Sequence, residues 1–215
     1  TGQGNIYYVS TSGNNNNSGL SPEEPWQTLK YSVSKLSSGD RLLLKRGDIW
    51  TNNLEQAGDE PILYLYNKPD VKVSAYGNGP KPLIDRSSET ALVTTMLTSV
   101  KNAVRIRKNS ANTSISDIAV KGAKCTAAMV VSGDGNNTIN NVDFSGAGWN
   151  EENCNSQESL LYIDTKANVE NSFFDGITGN DHGYGKLIEL VHGNFSSVRN
   201  SKFYGYASAI RFANE

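Results

Sequence analysis

The sequence predicts an all-β chain wound as a parallel solenoid, and three observations carry that reading. A nine-residue phrase ending in glycine recurs four times. A second short apolar strand precedes every copy. Beyond residue 60 no stretch shows helical periodicity, and Gly, Asn, Pro and Ser cut the chain into short runs.

The elements follow in order. Residues 7–11, YYVST, read as a first strand and lead into the polar loop SGNNNNSGLSPEEP. Ser21 and Glu24 have capping-box spacing, with Pro22 suited to a first helical turn. Trp26, Leu29, Val33 and Leu36 then step at helical intervals, which predicts a short amphipathic helix over 25–37 with one face on the core. Gly39, in SSGD, is placed to close that helix in the left-handed conformation. Leu42 to Leu44 form a buried strand, and Gly47-Asp48 turn the chain again. Further short strands are expected at 62–66, 71–77, 82–85 and 103–107.

Such spacing alone suits a sandwich or a barrel; the repeat decides otherwise. SISDIAVKG (114–122), TINNVDFSG (138–146), NVENSFFDG (168–176) and SVRNSKFYG (197–205) align on glycine. Ile115, Ile139, Val169 and Val198 share one position of the phrase, and Val120, Phe144, Phe174 and Phe203 share another. Asp117, Asn141, Asn171 and Asn200 stand between them. Upstream lie AVRI (103–106), MVVS (129–132), LYID (161–164) and IELV (188–191), with AIRF (209–212) after the last copy. The glycines are 24, 30 and 29 residues apart. A unit of that length holding three short strands is one coil of a parallel β-solenoid. One coil cannot bury its apolar side chains alone; stacking coils at ~4.8 Å makes a continuous core.

The repeated polar position has a physical role in that scheme. The chain bends sharply between the inward aliphatic and the inward Phe, and Asn tolerates left-handed geometry there. Asp117, Asn141, Asn171 and Asn200 are expected to form a ladder of stacked side chains that satisfies amides otherwise buried unpaired.

Composition narrows the function classes. The net charge of −2 and pI near 5.8 show no basic footprint for nucleic acid, and the charges are mixed rather than blocky. No apolar run approaches the ~18 residues of a membrane span. The opening TGQGNIYYVS lacks the basic and apolar regions of a signal peptide, so the chain is either intracellular or already processed. The 25 asparagines and 20 glycines, mostly beside Ser, Thr and Asp, favour a processed chain, secreted or at the cell surface. Four N-x-S/T sequons begin at Asn16, Asn112, Asn136 and Asn194 and matter only where the source glycosylates.

These residues resemble the right-handed parallel β-helix superfamily typified by pectate lyases. The stretch from YYVSTSG to KRGDIW, followed by VKVSAYGNGPKPLID, is similar to the opening of many secreted β-helix proteins that act on polysaccharides, in which a strand and a short helix cap the first coil. The expected organisation is one β-helix domain over 1–215, with a cap region at 1–40 and coils at 41–215. The chain stops at AIRFANE on a fresh strand, which raises the expectation of missing C-terminal coils or an end-to-end protomer.

In that superfamily the substrate groove follows the strand upstream of the phrase and the loop after its glycine. The longest insertions here are AGWNEENCNSQES (147–159), with Trp149, and ITGNDHGYGK (177–186), with His182 and Lys186. Strand alternation points Val104, Ile106, Leu161, Ile163, Ile188, Leu190, Ile210 and Phe212 inward. Arg105, Tyr162, Glu189 and Arg211 then point out, with Arg107 and Asp164 in the next outward column. Asp164 and Glu189 on adjacent coils are candidates for a carboxylate pair. Retaining glycosidases separate such carboxyls by ~5 Å and inverting ones by ~6.5–9.5 Å. A lyase needs a base at the sugar C5 proton and cations, or Ca²⁺, on the uronate carboxylate; Arg211, Lys186 and Arg105 are candidates for the cationic part. The sequence specifies no cofactor, and Ca²⁺ is the candidate if the chain is a uronate lyase. The competing view of each residue is a solvated outer face with cross-strand ion pairs.

His182 sits beside Asp181 in a glycine-rich loop, His192 is read as a turn residue, and the two histidines lack the clustered partners of a zinc site. Cys125 and Cys154 occupy post-glycine loops of neighbouring coils, as either a disulfide or two buried thiols; an extracellular location favours the bridge. The function expected is a carbohydrate-active enzyme, a polysaccharide lyase or glycoside hydrolase. Its rival is a non-catalytic β-helix adhesin, spike or carbohydrate-binding module.

Overall fold

Three parallel sheets form the walls of the solenoid. The computed structural model describes residues 4–89, 101–123, 127–146, 159–176, 186–191, 196–205 and 208–213. The first sheet stacks Ile6–Val9, Arg41–Lys45, Lys72–Tyr76, Ser114–Ser116, Asn137–Asn140, Ala167–Glu170 and Ser197–Arg199. The second stacks Ile49–Thr51, Leu83–Asp85, Ala119–Lys121, Asp143–Ser145, Phe173–Asp175 and Lys202–Tyr204. The third stacks Leu63–Leu65, Val104–Ile106, Met129–Ser132, Ser159–Asp164, Lys186–Val191 and Ser208–Ala213. Successive coils feed each sheet in turn, which is the parallel solenoid the repeat predicts and the right-handed β-helix the resemblance implies.

The repeat phase sets the register. Ile115, Ile139, Val169 and Val198 are consecutive partners in the first sheet, and Val120, Phe144, Phe174 and Phe203 in the second. The rings of Phe144 and Phe174 stack at 4.7 Å between centroids, and those of Phe174 and Phe203 at 5.1 Å. Both Phe144 and Phe174 are fully buried, each contributing about 2–3 kcal/mol of apolar transfer free energy. The bend between the two sheets is left-handed in every copy, with φ of 58° at Asp117, 54° at Asn141, 52° at Asn171 and 49° at Asn200. A β-branched residue there would meet its own carbonyl, so the polar position is fixed by backbone sterics.

The N-terminal cap departs from the sequence reading. The helix spans Leu29–Lys35 rather than 25–37, and its N-cap is Thr28, not Ser21. Tertiary pairing overrides the periodicity: Trp26 forms a parallel bridge with Val9, its amide donating to the Tyr8 carbonyl at 2.9 Å. Pairing in this way holds Trp26 outside the helix. Gly39 is left-handed (φ 86°) but turns the chain into the next strand, since the helix has already ended at an extended Leu36.

A strand at Ile49–Thr51 and a one-turn helix at Asn52–Glu55 were not foreseen. That turn delivers the buried Glu55 carboxylate to the longer helix, where it accepts from the Leu29 amide at 2.7 Å and the Lys30 amide at 2.9 Å. These are two of the donors a helix start leaves without intrahelical partners. Arg86, also fully buried, ties neighbouring loops together. It donates to the carbonyls of Glu60, Asn102 and Gly58 and reaches both carboxylate oxygens of Glu89 at 3.0 Å.

Candidate functional site on the third sheet

The outer face of the third sheet carries one residue per coil in a straight column. Tyr64, Arg105, Val130, Tyr162, Glu189 and Arg211 are successive partners. The strands place the column because Leu63, Leu65, Val104, Ile106, Leu161, Ile163, Ile188 and Leu190 are drawn into the core, which turns every intervening residue outward.

Outward does not mean solvated here, and this corrects the sequence reading. Arg105, Tyr162 and Glu189 are only 5%, 5% and 4% exposed. Val130 and Tyr162 pack outside the solenoid with Ala127, Val191 and Ala213 in a second apolar cluster. The column is therefore a partly dry surface carrying ionisable groups, not an open polar stripe. Burial pushes the Arg105 guanidinium below its ordinary value, and the like charge of Arg107 adds to that. Phe212 lies in the inward column, partnered with Leu190, yet it is 77% exposed, because among the described residues no strand stacks beyond it.

Glu189 and Arg211 meet at the surface. Arg211 Nη1 stands 3.6 Å from Glu189 Oε1, and the side-chain exposures are 47% and 5%. A buried carboxylate thus touches a cation that solvent reaches. Asp164 is half-buried and partnered with Ser132. The Cα partner of Glu189 is Tyr162, so Asp164 lies two residues farther along the same face, a diagonal step of ~7–8 Å.

At the other end of the column lies an aromatic pair that sequence reasoning did not single out. Tyr64 and Tyr66 are 6.1 Å apart between ring centroids, and Tyr66 is 43% exposed. Arg107 donates to the Tyr64 hydroxyl at 3.3 Å, and that bond holds its guanidinium above the ordinary value. The signal was present in PILYLY: with Leu63 and Leu65 inward, both tyrosines must face out.

Trp149, His182, His192, Cys125 and Cys154 lie outside the described residues, as does the side chain of Lys186. Lys186 itself starts a third-sheet strand, partnered with Ser159 and Ser208. Among the described residues no three His, Cys, Asp or Glu side chains converge as metal ligands, and no helix is long and apolar enough to cross a membrane.

No family model matches the chain, and no curated protein matches it. Solved structures do. Pectate lyase Pel9A superposes with a TM-score of 0.54 at 18% identity, over 95% of this chain and 48% of that one. A rhamnogalacturonan lyase superposes with a TM-score of 0.51 at 13% identity, over 92% of this chain and 56% of that one. The chain spans about half the length of each. At this identity the likeness is one of fold, and the chain has the right-handed parallel β-helix fold of these two lyases.

Proposed function

We propose that this chain is a carbohydrate-active β-helix protein of the extracellular space that acts on a polysaccharide laid along the outer face of the third sheet, as a lyase or a glycoside hydrolase. The observation that carries the reading is the buried Glu189 carboxylate in contact with the half-exposed Arg211 guanidinium. Tyr64 and Tyr66 supply an aromatic platform on the same face, suited to stacking against sugar rings. The fold shared with two polysaccharide lyases supports the substrate class.

In the lyase form Glu189 takes the C5 proton of a uronate while Arg211 holds its carboxylate. The C4–O bond then breaks, a C4–C5 double bond forms, the leaving oxygen takes a proton from water, and Glu189 returns its own proton to solvent. In the hydrolase form Asp164 and Glu189 share acid and base roles, since their diagonal placement is compatible with the ~6.5–9.5 Å carboxyl spacing of inverting enzymes. If calcium assists the lyase form it would take ~6–8 oxygen ligands, carboxylates and backbone carbonyls among them, and would supply positive charge to the uronate carboxylate. Neither route above passes through a metal.

A non-catalytic β-helix is the second reading, favoured by the apolar cluster that buries Tyr162 beside Glu189. A panel of polysaccharides assayed for unsaturated products by ultraviolet absorbance, and for new reducing ends, separates the two. Product in either assay supports the enzyme; binding with neither product overturns it in favour of the module.

A further inference from the structure

The first sheet has an outer face of its own, remote from the column that carries Glu189. An open cavity of about 920 Å³ lies on it, lined by Arg41, Asp70, Lys72, Ser74, Ser114 and Ser116 among others. Arg41 and Lys72 are Cα partners on adjacent parallel strands, and both are exposed. Like charges side by side on a sheet destabilise it, and among the described residues neither has an ion-pair partner.

The nearby carboxylates are engaged elsewhere. Asp70 accepts from Ser38 Oγ at 2.9 Å and Asn112 Nδ2 at 3.1 Å. The buried Asp40 accepts from the Asn5 and Ser37 amides at 2.8 and 2.7 Å. Asp117 accepts from Ser74 Oγ at 3.1 Å and Asn141 Nδ2 at 2.7 Å.

Beyond the cations the same column continues as hydroxyls and amides. Lys72 is followed by Ser114, Thr138, Asn168 and Ser197, one per coil, at the strand spacing of ~4.8 Å. Beside it Ser116 donates to Ser74 at 3.0 Å and Ser74 donates in turn to Asp117 at 3.1 Å, which keeps the Ser116 oxygen as an acceptor. Such a line matches a hydroxylated polymer better than a small ion. Two cations at a single register step, followed by hydroxyls, suit isolated carboxylate or sulfate groups on a sugar chain rather than the continuous phosphate backbone of a nucleic acid.

We propose that this face is a binding site for an anionic polysaccharide, with a carboxylate or sulfate group on Arg41 and Lys72 and sugar hydroxyls along the Ser74, Ser114 and Ser116 rows. The site is independent of the reaction proposed for the third sheet and goes beyond it, holding the polymer on a second wall of the solenoid.

Affinity electrophoresis of the whole chain through polygalacturonate, chondroitin sulfate and neutral dextran tests it. The two polyanions retard the protein and dextran does not; retardation by one polyanion alone names carboxylate or sulfate as the recognised group. The double variant Arg41→Gln, Lys72→Gln loses about tenfold in affinity while melting no lower than the parent, because an exposed like-charge pair has been removed. The remote, exposed Lys202→Gln on the second sheet binds as the parent does. Equal retardation of the double variant, equal retardation by dextran, or an equal loss in Lys202→Gln overturns the proposal. Loss in Glu189→Gln with retention in the double variant overturns it in favour of the third sheet.

Discussion

Asn141 donates from Nδ2 to Oδ1 of Asp117, one coil away, at 2.7 Å, and both residues hold left-handed backbones. The next copy breaks the pattern: Asn171 donates to Asn140 at 2.8 Å rather than to Asn141. Lys81 Nζ instead reaches Asn141 Oδ1 at 2.9 Å and Asp143 at 2.7 Å. The turn positions therefore share one backbone geometry, while their side chains reach different partners.

Asp117 makes this stack sensitive to acid. Burial pushes its carboxyl up, but the hydrogen bonds from Asn141 and Ser74 and the charge of Arg46 outweigh burial and hold it below the ordinary 3.8. A depressed carboxyl stabilises the fold above its unfolded-state value and loses that contribution as pH falls through the folded-state value. Asp117→Asn keeps a residue that tolerates the left-handed bend and removes the charge. We expect it to cost about 1 kcal/mol at neutral pH, with the gap to the parent closing as pH falls below the ordinary carboxyl value of 3.8. Urea unfolding across pH reads this; a gap independent of pH would show that the charge contributes nothing.

Glu55 has the opposite sign. Burial dominates and raises its carboxyl from 4.5 to about 7, against the lowering effect of the Lys30 and Leu29 amides and the Lys30 charge. A raised carboxyl binds its proton more tightly in the folded chain, so its stability contribution is complete below pH 4.5 and lost as pH rises through about 7. At about 1.4 kcal/mol per pH unit between the two values, the change is roughly 3 kcal/mol. Glu55→Gln should melt with a flatter dependence between pH 5 and 7 than the parent. An identical slope in both proteins would mean that Glu55 is ionised throughout.

Much of the architecture is legible because the repeat states it locally. Ile139, Asn141, Phe144 and Gly146 are spaced by the strand period and the bend, and both are properties of the chain itself. The cap was less legible, because the hydrogen bonds that pull Trp26 out of the helix come from Tyr8 and Ser10, a distant strand. The direction of Tyr162 and Glu189 was legible for the same reason as the core. Their burial was not: Tyr162 packs against Ala127, Val130 and Val191, which lie far from it in the sequence and meet it only on the outer face of the sheet. The Arg41–Lys72 groove was invisible in sequence, since 31 positions separate residues that become neighbours only through register.

The phenylalanine stack offers a graded test of the stacked core. Phe174 lies between Phe144 and Phe203 and is fully buried, whereas Phe203 is half-buried. Phe174→Ala should cost about 3–5 kcal/mol, because rings on both sides lose contacts and the cavity cannot close within a fixed strand spacing. Phe203→Ala should cost visibly less. Equal losses in chemical denaturation would place the two rings in equivalent surroundings, contrary to the stack.

The Glu189–Arg211 pair decides whether the third-sheet face is chemical or structural. Glu189 carries its carboxylate in a nearly dry setting, and Arg211 is the partner that solvent reaches. If Glu189 moves a proton, Glu189→Gln keeps its shape and most of its packing, so kcat should fall by about 10²–10⁴ with KM little changed. If Arg211 holds a substrate carboxylate, Arg211→Gln should raise KM for uronate polymers and leave neutral ones unaffected. Arg211→Lys restores the charge without the planar fork, and partial recovery of KM is expected. A purely structural pair behaves differently: both Gln variants would lower the melting temperature together and change KM for neutral and acidic polymers alike. The kinetic split between the two variants, measured on one acidic and one neutral polysaccharide, therefore distinguishes a reacting pair from a brace.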